Sequence, residues 1–209
     1  MGSYQPAAET NQLIETLKRS AAALRDADVP FALAGSVACW ARGGPAPYND
    51  VDFAVREEDG ERGLQALVDV GMRPERPPEG WLLKAWDEDV LVDLIWDFSG
   101  LPPVPELLER SEELSVQAQP LPVMALDDVM VSKLCAMDEH ALDFAGPLAV
   151  ARALREQIDW PQVRSRTAHW PYARGFLAML EALEILEPKG AQVEPVGGTG
   201  PRVRVIGEG

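Results

Sequence analysis

NDVDFAV, residues 49–55, is the stretch on which the fold turns. Val51, Phe53 and Val55 are strong strand formers, and alternate residues of a strand face the same side. Asp50 and Asp52 therefore project together while Val51 points into a core. Left alone, two such carboxylates repel, and each raises the pKa of the other. A hard dication such as Mg²⁺, which takes carboxylate oxygens together with substrate phosphates, removes that cost.

Working upstream, GGPAPYN (43–49) has two Gly and two Pro in seven residues and must be a loop. Before it, VPFALAG (29–35) reads as a short buried strand that ends in a glycine turn, after which Ser36 is placed to cap a helix running through Arg42. Further upstream, Ile14, Leu17, Ala21 and Leu24 recur every three or four residues, which predicts a helix over 11–27 with one buried stripe. Downstream, a helix is expected near 58–70, an extended piece over 81–86 and a second strand over 90–96. That second strand, VLVDLIW, is too apolar to lie on a surface. An unpaired Asp93 inside it is expensive unless something neutralises it.

Beyond LPPVPE the pattern changes. Stretches 126–137, 141–156, 161–168 and 171–186 all read as helices. Pro102, Pro103, Pro105, Pro120 and Pro122 discourage regular structure over the junction. The expected organisation is a first domain over 1–100, a Pro-rich connection over 101–122, a helical domain over 123–187 and a flexible Gly- and Pro-rich tail over 188–209, with a short strand at VRVI as the alternative for the tail.

Gly35-Ser36 complements the acids. A glycine turn opening a helix presents backbone N–H groups to an anion, and the Ser hydroxyl adds a donor for a phosphate oxygen. Phosphates and carboxylates then bracket a metal from opposite sides, as phosphoryl-type transfer requires.

The ordered set AGSVACWARGG, NDVDFAV and VLVDLIW resembles the signature of the nucleotidyltransferase fold superfamily. DDVMVSKLCAMDEHALDF and REQIDWPQVRSRT extend the resemblance, over about residues 10–187, to bacterial stand-alone nucleotidyltransferases, relatives of the aminoglycoside nucleotidyltransferases and the abortive-infection toxin enzymes. The resemblance implies an α+β fold, a mixed β-sheet with flanking helices followed by a C-terminal helical domain. It implies transfer of a nucleoside monophosphate from an NTP such as ATP to an acceptor hydroxyl or phosphate, with release of pyrophosphate. Asp50 and Asp52 would hold Mg²⁺ or Mn²⁺, Asp93 would be a third ligand or the general base, and Gly35 and Ser36 would form the phosphate loop. Lys133 would contact the triphosphate, beside an apolar stripe of Met130, Leu134 and Met137. Asp143 is a further candidate for orienting Lys133 or the acceptor. The chain departs from many relatives just before Asp-x-Asp, where it has Pro47, Tyr48 and Asn49 in place of Ser or Thr with a nearby Arg.

Composition narrows the acceptor. With 209 residues, 46% hydrophobic and 25% charged, the chain can build an ordinary core. A net charge of −15 disfavours a polyanionic partner and favours a small-molecule acceptor; a tRNA end or a protein side chain is the alternative of the toxin type. A catalytically silent nucleotide- or partner-binding regulator is the reading from another class, but a binding module has no need of three acids in one cleft. No apolar run approaches the roughly 20 residues that cross a bilayer, and the start lacks a signal pattern, so no membrane and a cytoplasmic location are expected. Cys39 and Cys135 read as buried free thiols, His140 and His169 as structural, and the six Trp mostly as core, with Trp86 or Tyr48 a candidate to stack on a base.

Overall fold

The structure is a computed structural model that describes residues 6–47 and 50–187; the predicted tail, with its VRVI alternative, and Tyr48 and Asn49 lie outside the described residues. Helix α1 (Pro6–Asp26) buries Leu13, Leu17, Ala21 and Leu24, so the stripe runs through Leu13, and Ile14 sits at its flank. Strand β1 (Phe31–Leu33), helix α2 (Gly35–Ala41) and strand β2 (Asp50–Val55) follow. A 3-10 turn over Glu57–Asp59 leads into α3 (Gly60–Asp69). Then come β3 (Arg73–Glu75), β4 (Leu82–Asp87) and β5 (Val90–Ile95). The β3 segment carries Pro74 and is exposed throughout, which is why no strand pattern marks it in the sequence.

The Pro-rich connection differs from expectation. Residues 101–122 are largely ordered into α4 (Val104–Glu109), β6 (Glu112–Val116) and most of β7 (Gln119–Val123). Pro103 and Pro105 suit the start of α4, where no helical hydrogen bond needs their N–H. Pro120 and Pro122 sit in β7 opposite Ser115 and Glu113, while β1 engages β7 only near Val123, through Leu33 and the Met124 N–H. The missing donors therefore interrupt little of the ladder. Helices α5 (Leu126–Cys135), α6 (Ala145–Leu154), α7 (Trp160–Arg166) and α8 (Pro171–Ala182) complete the described chain.

Among the described residues seven strands form one mixed sheet in the order β3-β4-β5-β2-β1-β7-β6, with β2–β5 and β1–β7 parallel and the other pairs antiparallel. Along β2 and β5 the two faces separate cleanly. Val51, Phe53, Val92 and Leu94 are fully buried, and Gly63 of α3 packs against Leu94 and against Leu24 of α1. Asp50, Asp52 and Asp93 take the alternate positions and face the other way. The helices of the second half share the core of the sheet, since Val37, Val123, Met130 and Phe176 belong to one buried cluster. The tryptophans differ from the expectation of core residues. None is fully buried: Trp40, Trp96, Trp160 and Trp170 pack at the core's edge, and Trp81 is 41% exposed. Among the described residues no helix is long and apolar enough to cross a membrane.

Candidate functional site

The parallel pairing of β2 with β5 sets Asp52 directly beside Asp93, with Asp50 two residues back on the same face. The antiparallel pairing of β4 with β5 sets Lys84 on the other flank of Asp93. Three strands therefore present Lys84, Asp93 and Asp52 as a row. The Lys84 Nζ donates to Asp93 Oδ1 at 3.2 Å and Oδ2 at 3.4 Å.

Gly35 closes the row from above. Its φ of +54° is one that a side chain strains to adopt, and a Cβ there would overlap the Asp52 carboxylate. The Ala34 N–H donates to the Asp52 carbonyl at 2.8 Å, which fixes the turn to β2. Ser36 does not cap α2 as expected. Residue Ala34 is the N-cap and no side chain caps the helix; Ser36 lies inside the first turn, and its hydroxyl donates to Asp50 Oδ1 at 3.3 Å. The nearby acid is the stronger acceptor, so the hydroxyl turns toward the site.

The acids are under-compensated. Burial, then the charges of Asp50 and Asp93, push the Asp52 carboxyl from 3.8 up to about 7. Burial also raises Asp50, against the pull of the Ser36 hydroxyl and Lys133. Asp93 is raised by burial, with Lys84 acting against the rise. Asp52 and Lys133 of α5 both line a cavity of about 450 Å³ whose walls also include Gly35, Trp81, Phe98, Met124 and Ser132. Met130, Leu134 and Met137 are buried as the predicted stripe requires.

Helix α5 is held from two sides. Buried Asp128 accepts Arg110, at the end of α4, at 3.0 Å, and Arg166, at the end of α7, at 2.7 Å. Asp143 does not reach Lys133; its Oδ1 accepts the Ala145 N–H at 2.8 Å and serves the start of α6. His140 and His169 are exposed, and Cys39 and Cys135 are buried free thiols. The Trp86 indole N–H donates to Glu75 at 2.7 Å, and Arg73 lies over its ring.

Two of these groups are not marked by motif reading. Lys84 carried one signal, a lone cation in the apolar run LLKAW, and Trp81 none. Among the described residues no three Asp, Glu, His or Cys side chains are placed to hold a metal ion as they stand. The donor set nevertheless suits a hard dication: carboxylate oxygens only, on one face, with more negative charge than the neighbouring lysines offset.

No family model matches the chain, and no curated protein matches it by sequence. Solved structures do. The antibiotic-resistance factor ANT(2'')-Ia in solution is 15% identical, with a TM-score of 0.61 over 84% of this chain and 98% of that one. A Thermotoga maritima protein assigned as a nucleotidyltransferase is 15% identical, with a TM-score of 0.50 over 59% of this chain and 84% of that one. The chain has the nucleotidyltransferase fold, α+β, with a mixed sheet and flanking helices.

Proposed function

We propose that this chain is a metal-dependent nucleotidyltransferase that moves a nucleoside monophosphate from an NTP to an acceptor hydroxyl or phosphate and releases pyrophosphate. The observation that carries the reading is the row of Asp93 and Asp52 on adjacent strands, with Asp50 two residues from Asp52 on the same face and Lys133 lining the same cavity as Asp52. Asp50 and Asp52 would hold Mg²⁺ or Mn²⁺, with Asp93 a third ligand or the general base. Such an ion, when bound, offsets phosphate charge and favours in-line displacement.

The chain's own groups supply the rest. Lys133 balances triphosphate charge from the α5 side, and the Gly35 turn, whose missing Cβ leaves room for the Asp52 carboxylate, would present backbone N–H groups to a phosphate. Ser36 is shared between Asp50 and a phosphate oxygen. The acceptor oxygen bonds the α-phosphorus as the bond from that phosphorus to the leaving pyrophosphate breaks, and the acceptor's proton passes to a carboxylate of the face.

A small-molecule acceptor fits a chain of net charge −15, which repels polyanions, and fits a shared fold with an antibiotic-resistance factor. A cytoplasmic location, where NTPs are available, belongs to the same reading. Thermal denaturation with Mg²⁺ and each NTP tests it. One NTP stabilises the wild type, by about 2.7 kcal/mol at a hundredfold excess over Kd, and Asp50→Ala and Asp52→Ala abolish the gain. No shift with any nucleotide contradicts the reading.

A further inference from the structure

The acid face contains one cation that the nucleotidyl-transfer reading does not use. Lys84 sits in register with Asp93 on the side away from Asp52, and both Asp93 oxygens lie within 3.4 Å of its Nζ. The two side chains are 22% and 14% exposed, so the pair is screened only in part by water. Lys84's other cross-strand neighbour, Glu75, is engaged by the Trp86 indole N–H and forms no ion pair with Lys84 among the described residues. The ammonium is thus committed to the acid face.

We infer that Lys84 is a positioning residue that holds Asp93 while no dication is bound and must yield it when one binds, so that Lys84 sets how tightly the face takes a dication. The inference rests on the metal-dependent reading above. Its physical basis is competition. A fixed positive charge beside three carboxylates repels an arriving cation, and the Asp93 oxygens cannot serve both partners fully. The same charge stabilises the metal-free fold, because it offsets part of the repulsion between Asp93 and Asp52. Among the described residues no three acids are poised around one point, and the Asp93 oxygens are instead within reach of Lys84 on β4.

Mn²⁺ alone, titrated into purified metal-free protein by calorimetry, tests this without reference to activity. Lys84→Met and Lys84→Gln are expected to bind Mn²⁺ about tenfold more tightly than wild type, and to unfold at a lower temperature in chelator. Lys84→Arg, which keeps the charge, stays within about threefold of wild type. A lysine with a merely structural role gives the lower melting temperature but not the tighter binding. Asp52→Asn separates the two levels of the account. If the wild type binds Mn²⁺, Asp52→Asn does not, and both neutral Lys84 variants bind no more tightly than wild type, the Lys84 inference alone fails. If neither the wild type nor the folded Lys84 variants bind Mn²⁺, the metal-dependent reading fails with it.

Discussion

Asp128 is buried and Asp52 partly so, and their surroundings are opposite. Asp128 meets two guanidiniums, Arg110 and Arg166, which answer its charge and tie α4 and α7 to α5. Asp52 meets two further carboxylates and the bare backbone of Gly35, and its carboxyl is pushed up to about 7. The first arrangement is what a folded chain does with a buried acid it uses as a joint. The second leaves repulsion in place, which a chain tolerates where a ligand is to resolve it.

The contrast is sharpest in neutral, metal-free buffer, where the two acids respond to the same substitution with opposite sign. Asp128→Asn strands two cations at the base of α5 and is expected to destabilise by about 3 kcal/mol. Asp52→Asn removes a repelled charge and raises the melting temperature. Chemical denaturation of both variants checks this, and a loss of stability in Asp52→Asn equal to that in Asp128→Asn erases the distinction.

A smaller effect concerns pH. The folded-state pKa of Asp52 lies above its ordinary value of 3.8, so the folded protein holds a proton that the unfolded chain has released. The stabilisation from that proton is fully present below about pH 4 and is lost as pH rises through about 7. A shift of that size is worth roughly 4 kcal/mol for a fully dry carboxyl; Asp52 lines an open cavity, so about 2 kcal/mol is expected. Urea titrations across pH 4–8 should show stability of the metal-free wild type falling with pH, and a flatter profile for Asp52→Asn. Parallel profiles would assign the fall to other groups.

How much of this was legible in the sequence follows from what sets each feature. The period-two alternation of NDVDFAV and VLVDLIW places three acids on one face, and Gly35 announces the positive φ that its turn requires. These are local signals. Lys84 is legible only as a lone cation in LLKAW, because its partner depends on the register of β4 against β5. That register is set by a tight turn at Glu88 and Asp89, in which Glu88 has φ of +55°; the pair lacks the glycine that usually marks such a hairpin. The β6–β7 hairpin was hidden by its prolines, which propensity reads as breaks but which an incompletely paired strand accepts. Ser prefers a cap position, but at Ser36 the tertiary contact with Asp50 overrides that preference. The Asp128 joint spans residues from three helices that no sequence spacing links.

In the proposed function Asp50, Asp52 and Asp93 act together in nucleotidyl transfer. Incubation with α-labelled NTPs, Mg²⁺ and a small-molecule extract tests it most directly. The wild type is expected to move label from one NTP to an acceptor, and Asp52→Asn to lower the rate roughly 10³-fold, equivalent to about 4 kcal/mol of lost transition-state stabilisation. Label transfer by folded Asp52→Asn at the wild-type rate would contradict the account.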